Sequence, residues 1–111
     1  MITVYGYPKT RSNRVIWMLE ELGIDYQFQL INLMKGEGLS ASFKAINPSG
    51  KVPALADDGL ILTESAAMLT YLGDKYGSAP LMPKAGTAER GLHDQWLCFA
   101  IAELEQPLWT I

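Results

Sequence analysis

The sequence has very little of the chemistry that binds metals or forms disulfides. It contains one cysteine, Cys98, and one histidine, His93. A lone cysteine cannot form an internal disulfide or a Cys-x-x-Cys redox pair, and one histidine leaves few ligands for zinc. We therefore expect no metal site and no dithiol redox chemistry. We predict that Cys98 is a buried structural thiol, as free cysteines commonly are.

A concentrated charge of one sign and a long apolar run are also missing. Nine Lys and Arg residues are scattered among twelve Asp and Glu residues, giving a net charge of −3, so no nucleic-acid surface is predicted. No apolar segment approaches the roughly 20 residues that span a bilayer, and the N-terminus lacks a secretory-signal pattern. With 49% hydrophobic residues among 111, the chain can form one domain with its own core. We expect a soluble, cytoplasmic protein that binds neither nucleic acid nor membranes.

Hydrophobic periodicity in the first half of the chain predicts alternating strands and helices. Residues 1–6 alternate as a short strand does. Ser12 or Asn13 is a suitable N-cap for a helix that ends at Gly23. Residues 26–33 alternate again, and one or two helical turns fit residues 40–46.

The second half of the chain predicts a hairpin, a helix, a linker and a last helix. In chain order these are a strand at 52–56, a turn at 57–59, a strand at 60–62, a helix from Thr63 or Glu64, a Gly- and Pro-rich linker at 77–86, and a helix from Thr87. The full order is β-α-β-α-β-β-α, linker, helix. Strands joined through helices pair in parallel and hairpins pair antiparallel, so we predict an α/β fold with a four-stranded mixed sheet.

The last helix is apolar around more of its circumference than a surface helix is. A surface helix has one apolar stripe about 100° wide, whereas a wider sector is typical of a helix buried on two sides. We expect a chain that is cut short or a helix that packs against a second copy, and a frayed, partly exposed tail is the alternative. The apolar sector contains Leu92, Trp96, Leu97, Phe99, Ile101, Leu104 and Leu108.

Three segments together resemble the glutathione S-transferase superfamily: YGYPKTRSNRVIWMLEELGIDY at residues 5–26, NPSGKVPAL at 47–55 followed by LTESAAMLTYL at 62–72, and QWLCFAIAELEQPLW at 95–109. The resemblance covers essentially the whole chain. It implies a thioredoxin-like, glutathione-binding domain at residues 1–76, a linker at 77–86, and the first helix of a truncated all-α domain at 87–111.

The resemblance assigns Val52 and Pro53 to the glutathione site. It implies a cis bond before Pro53, so that the main chain of Val52 faces outward and an extended cysteinyl backbone can pair with it as an added strand. An edge-strand proline that blocks aggregation is the alternative. Lys35 and Lys51 are candidates for the glycyl carboxylate, with solvated surface lysines as the alternative.

Glu64 and Ser65 are the second part of the implied glutathione site. A hydroxyl and free N–H groups at a helix N-terminus form an anion site. The family's use places the γ-glutamyl carboxylate on Ser65 and the neighbouring ammonium on Glu64. The alternative, that these residues cap the helix, is compatible, because the cap geometry makes the site.

The hydroxyl that activates the thiol is left open by the sequence. The thiolate is the nucleophile, and a thiol with a pKa near 8.5 is mostly protonated at neutral pH. The family sequences most similar to this one place their serine at Thr10, whereas the serine of several other classes would fall one position earlier, on Lys9, if no gap is allowed. Ser12 is the second candidate, and for it an N-cap role is the alternative. The other candidates are Tyr7, Arg11, Asn13 and backbone groups, while Tyr5 falls inside the first strand.

The resemblance implies transfer of glutathione to a small hydrophobic electrophile, a detoxification reaction, by a cytoplasmic homodimer that needs no metal. Two other functions remain open. One is a non-catalytic module that binds glutathione or partner proteins. The other is a related glutathione-dependent peroxidase, dehalogenase or disulfide reductase.

Overall fold

The computed structural model describes residues 1–77 and 81–109. Its regular elements are β1 (Ile2–Gly6), α1 (Ser12–Leu22), β2 (Tyr26–Leu30), two 3₁₀ turns (Leu33–Lys35 and Glu37–Leu39), α2 (Ala41–Lys44), β3 (Ala54–Asp57), β4 (Leu60–Leu62), α3 (Ser65–Tyr76), α4 (Ala88–Phe99), a π-helical segment (Ala100–Glu105) and α5 (Gln106–Trp109). The chain divides into two compact units, residues 1–72 and 73–111.

The first unit is built on a four-stranded mixed sheet in the order β2-β1-β3-β4. β1 pairs in parallel with β2, with Ile2 opposite Tyr26. It pairs antiparallel with β3, where Val4 lies opposite Leu55, and β3 in turn pairs antiparallel with β4. The predicted α/β fold and its thioredoxin-like β-α-β-α-β-β-α order are confirmed.

Helices cover both faces of this sheet, as the alternation of β1 requires. Successive strand residues point to opposite faces, so Val4 and Tyr5 lie on different sides. Val4 is fully buried on the side of α1 and α3, whose inward residues Val15, Leu19, Met68 and Leu72 are also fully buried. Tyr5 packs on the other side in a cluster with Phe43 of α2, Ile31 and Ala54.

The hairpin between β3 and β4 is the tight turn that the sequence predicts. Asp58 and Gly59 both have positive φ values, 47° and 90°, as a type I′ turn requires. Asp57 is buried and accepts a hydrogen bond from the Tyr71 hydroxyl at 2.7 Å, whereas Asp58 is exposed in the turn. The two adjacent carboxylates therefore point apart.

Helix α3 begins at Ser65, one or two residues later than predicted. The reason is Glu64, whose φ of 73° is left-handed and cannot belong to a right-handed helix. Similarly, β2 ends at Leu30 rather than at residue 33, because Asn32 turns the chain by accepting a hydrogen bond from the Lys35 N–H at 3.2 Å.

In the second unit, Thr87 caps α4 as predicted, accepting a hydrogen bond from the Arg90 N–H at 3.2 Å. The helix changes from α to π geometry at Ala100–Glu105 and continues without a gap as α5 to Trp109. Pro107 lies just beyond the π-helical segment, and a proline inside an α-helix clashes with the carbonyl four residues earlier. The wider π turns precede this proline and remove the regular α-helical spacing there.

Most of the apolar sector of the last helix is exposed, although Leu97 and Ile101 are half-buried. Trp96 and Phe99 stack edge to face with ring centroids 5.5 Å apart, yet Trp96 is 59% exposed. The prediction of a buried Cys98 is wrong, because the thiol lies on an uncovered side of α4 and is exposed. Among the described residues, no helix is both long and apolar enough to cross a bilayer. The predicted linker includes Ser78–Pro80, and the predicted last helix includes Thr110 and Ile111, which lie outside the described residues.

Candidate functional site

The loop between β1 and α1 holds both candidate hydroxyls in one hydrogen-bonded network. Thr10 Oγ1 lies 2.6 Å from the Tyr7 carbonyl oxygen and 2.8 Å from Ser12 Oγ, and it accepts from the Ser12 N–H at 3.2 Å. Ser12 Oγ also accepts from the Tyr7 N–H at 3.2 Å. The predicted N-cap is wrong: Arg11 occupies the cap position, and α1 has no side-chain cap hydrogen bond.

Thr10 and Ser12 differ in how far they are exposed. Ser12 is 1% exposed and lies beneath the loop, whereas Thr10 is half-buried. Gly6 makes this arrangement possible, because a Cβ added there would lie only 2.7 Å from Ser12 Oγ. Of the two candidates, Thr10 is therefore the one with access to a ligand in the loop, and Ser12 supports the loop from below.

The turn before β3 presents an unpaired stretch of main chain. The Val52–Pro53 peptide bond is cis, as the resemblance implies. Within the part of the chain that the structure describes, the N–H and C=O of half-buried Val52 have no hydrogen-bond partner. Because buried or partly buried main-chain groups are almost always paired, this is a place where an extended peptide can add hydrogen bonds.

Asn47 holds this turn in place from within. It is 3% exposed, and its Nδ2 donates to the Lys51 carbonyl oxygen at 2.7 Å. Its Oδ1 accepts from the Ser49 N–H at 3.1 Å and from the Ser49 hydroxyl at 2.9 Å. The residue that begins the NPSGKVP segment therefore fixes the backbone on which Lys51 and Val52 lie.

At the N-terminus of α3, an exposed acid stands next to a buried hydroxyl. Glu64 is exposed and has a left-handed φ of 73°, which costs of order 1–3 kcal/mol for a residue with a side chain and is typical of ligand sites. Ser65 is 8% exposed, and its Oγ accepts from Arg14 Nη1 at 3.2 Å. Arg14 is the residue that the sequence did not assign to the site, because this contact spans 51 positions.

The loops of Lys35 and Lys51 lie side by side. A Cβ on Gly38 would lie 2.7 Å from the Gly50 carbonyl oxygen, and one on Gly50 would lie 2.6 Å from the Gly38 carbonyl oxygen. Both lysines are exposed, and neither ammonium makes an ion pair within the described residues. Two cations are thus carried by adjacent loops and remain available to an anion.

The electrostatics of the first unit favour an anionic ligand near the starts of α1 and α3. Neither helix has an acidic residue in its first turn, so the positive end of the α1 dipole is uncompensated there, whereas Glu64 stands directly before α3. The Arg14–Ser65 hydrogen bond joins these two helix starts. Among the described residues, no group of three or more His, Cys, Asp and Glu side chains is arranged to hold a metal ion.

The chain is similar to known proteins over most of its length. The sequence profile of the family described as "Glutathione S-transferase, N-terminal domain" matches residues 10–75. The chain is 35% identical over 110 residues to glutathione S-transferase 3 of Schizosaccharomyces pombe, covering 99% of this chain and 45% of that protein. It therefore spans about half the length of this curated relative.

Solved structures show the same likeness. An epsilon-class glutathione S-transferase from the housefly Musca domestica superposes with a TM-score of 0.87 at 30% identity, over 96% of this chain and 49% of the other. A glutathione transferase homologue from Sulfitobacter, with bound glutathione, superposes with a TM-score of 0.81 at 33% identity, over 92% of this chain and 49% of the other.

Proposed function

Because the chain belongs to the glutathione S-transferase superfamily, we propose that it is the glutathione-binding half of a transferase that joins the glutathione thiolate to a small hydrophobic electrophile. The observation that carries the proposal is the unpaired main chain of Val52 beside cis Pro53. A site for an extended peptide backbone matches glutathione, which is itself a short peptide. The bound glutathione of the Sulfitobacter homologue supports the same ligand.

Main-chain pairing fixes the register of the tripeptide. The cysteinyl N–H and C=O of glutathione pair with the C=O and N–H of Val52 as one added strand residue. Pro53, which follows the cis bond, cannot donate to the ligand itself because it has no N–H. No side-chain chemistry is needed for this part of the recognition.

The charged ends of glutathione are bound by the groups on either side of Val52. The γ-glutamyl carboxylate lies on the Ser65 hydroxyl and the α3 N-terminus, with Arg14 beside Ser65 as its cation. Glu64, exposed and turned out of the helix by its left-handed backbone, accepts from the γ-glutamyl ammonium. Lys35 and Lys51 bind the glycyl carboxylate.

Thr10 is the group we assign to the bound sulfur. Lowering a thiol pKa by about 2 units requires roughly 2.7 kcal/mol of preferential thiolate stabilisation. A charge-assisted hydrogen bond and the start of α1 supply a stabilisation of this size. Thr10 turns its proton from the Tyr7 carbonyl to the sulfur, while Ser12, which is 1% exposed, keeps Thr10 in position. The thiolate then attacks the electrophile, forming a carbon–sulfur bond as the leaving group departs with its electron pair.

One observation favours a second candidate, a glutathione-binding module without catalysis. The Thr10 hydroxyl already donates within the loop, at 2.6 Å to the Tyr7 carbonyl oxygen. If that bond persists with ligand present, the Thr10 hydroxyl has no proton to donate to the sulfur. For the whole protein we also propose a cytoplasmic homodimer; the exposed apolar side of α4, with Trp96 59% exposed, supports an additional packing surface.

Calorimetric titration with glutathione and with S-hexylglutathione tests the binding site. We expect micromolar-to-millimolar binding that is lost in Glu64→Ala and retained in Glu103→Ala, a matched control at an exposed position of the second unit. Absence of binding by a folded sample would contradict the proposal. The absorbance of the bound thiolate, followed against pH, gives the pKa of the bound thiol and separates the two candidates. The transferase is supported if this pKa lies below that of free glutathione in the wild type and returns to the free value in Thr10→Val.

A further inference from the structure

The loop that leads into α1 carries more positive charge than its surroundings. Residues 1–19 include Lys9, Arg11 and Arg14 and no acid, the first being Glu20, in a chain whose net charge is −3. The first turn of α1 adds no acid to this segment. Three of the nine Lys and Arg residues therefore lie within four positions of Thr10, where the proposed function places the reacting sulfur.

Glutathione uses only part of this charge. Under the proposed function, Arg14 serves the γ-glutamyl carboxylate through its contact with Ser65, at 3.2 Å. Lys9 has no such assignment. It is exposed, comes directly before Thr10, and makes neither an ion pair nor a side-chain hydrogen bond within residues 1–77 and 81–109.

The backbone at Lys9 does not explain why a lysine is there. Its φ of 61° lies in the left-handed region, which Gly and Asn adopt more readily than lysine. Left-handed backbone at a residue with a long side chain is costly and is concentrated at ligand-binding positions. The ammonium group, rather than the turn, is therefore the feature of Lys9 that a ligand can use.

We propose that the acceptor substrate carries a negatively charged group, of the carboxylate type, on its apolar body, and that Lys9 binds it beside the sulfur. This rests on the proposed function and narrows its substrate class. An ion pair in a partly solvated loop gives a preference of about two- to fivefold. Salt reduces it, because the screening length falls from about 10 Å at 0.1 M to about 3 Å at 1 M ionic strength.

Two product analogues of nearly equal size test the proposal on the whole chain. S-(4-carboxybenzyl)glutathione and S-(4-carbamoylbenzyl)glutathione differ in the charge of one substituent, and calorimetry gives the ratio of their dissociation constants. Lys9→Asn removes the ammonium while retaining a residue suited to the left-handed backbone. Lys9→Arg keeps the positive charge, and Lys84→Gln removes the same charge from an exposed position in another segment.

We expect the carboxylate analogue to bind about two- to fivefold more tightly to the wild type, to Lys9→Arg and to Lys84→Gln. The ratio should fall to about one in Lys9→Asn and at 1 M salt. Equal binding of the two analogues by the wild type, or a preference that survives Lys9→Asn, would overturn the inference while glutathione binding stands. If glutathione itself does not bind, the proposed function fails and the inference fails with it.

Discussion

The guanidinium of Arg14 lies 3.2 Å from the hydroxyl oxygen of Ser65, so a side chain of α1 reaches the first residue of α3. Two helix N-termini and one cation are thereby brought to the same place in the first unit. Helix N-termini and guanidinium groups both favour carboxylates. The contact therefore supports the carboxylate site that we propose at Ser65.

Replacing Arg14 by Gln should weaken glutathione binding by about tenfold or more, because a hydrogen bond to a charged group contributes about 1.5–3 kcal/mol. Calorimetry on Arg14→Gln, Ser65→Ala and the double variant measures the loss of glutathione affinity in each. The three values together give the coupling energy between Arg14 and Ser65. Since both residues act on one carboxylate, the double variant should lose less than the sum of the single losses. Unchanged affinity in a folded Arg14→Gln variant would contradict the assignment.

Gly6→Ala should lower the free energy of unfolding by about 1–3 kcal/mol, the usual cost of overpacking. The new Cβ would lie 2.7 Å from Ser12 Oγ and 3.1 Å from a ring carbon of Phe28. Gly91→Ala is the matched control, because a Cβ there meets no atom within 4 Å and alanine favours a helix by about 0.5–1 kcal/mol over glycine. Urea unfolding should therefore show a lower free energy of unfolding for Gly6→Ala and a higher one for Gly91→Ala, although both variants replace glycine by alanine. Equal effects would show that the Gly6–Ser12 contact is not the cause.

The parts of the fold that the sequence predicted are those determined by neighbouring residues. The hairpin turn follows from Asp58 and Gly59, both of which tolerate positive φ. The cap of α4 follows from Thr87, whose hydroxyl needs only the N–H of Arg90. The alternation of β1 likewise determines which residues are buried.

The parts that the sequence missed depend on contacts between distant residues. Ser12 looks like an N-cap, yet its hydroxyl points back toward the loop because Gly6 leaves room for it. The role of Arg14 depends on Ser65, 51 positions away. The exposure of Cys98 depends on what covers α4, and a helical pattern alone does not contain that information. Propensity describes local geometry, whereas these features arise from tertiary packing.

Tyr71→Phe should destabilise the first unit by about 1–3 kcal/mol, since it removes a hydrogen bond to a buried charged group. The Tyr71 hydroxyl donates to Asp57 Oδ2 at 2.7 Å, and Asp57 is 3% exposed. Tyr5→Phe is the matched control, because the Tyr5 hydroxyl has no hydrogen-bond partner among the described residues. Thermal unfolding should show a lower Tm for Tyr71→Phe and little change for Tyr5→Phe. Equal shifts would show that the Asp57 bond does not stabilise the fold.

The carboxylate of Asp94 should make the stability of the second unit depend on pH in acid. A hydrogen bond from His93 Nδ1, at 2.9 Å, and the Arg90 guanidinium hold the pKa of Asp94 below its ordinary value of 3.8. A carboxyl whose pKa is lower in the folded state than in the unfolded state stabilises the fold. This contribution is fully present at pH values above the unfolded-state pKa and is lost as the pH falls through the folded-state pKa.

Urea unfolding of the wild type and of Asp94→Asn, from about pH 6 down to about pH 3, checks this sign. The wild type should be the more stable near neutral pH, and the difference should shrink below about pH 4, where the unfolded carboxyl becomes protonated. His93→Gln should make the stability of the protein depend less on pH in this range, because it removes the His93 hydrogen bond to Asp94 and leaves the one from Arg90. Asp25→Asn, at an exposed position that makes no ion pair among the described residues, is the control and should run parallel to the wild type. A difference that grows as the pH falls would show that protonation of Asp94 stabilises the fold, contrary to the lowered pKa.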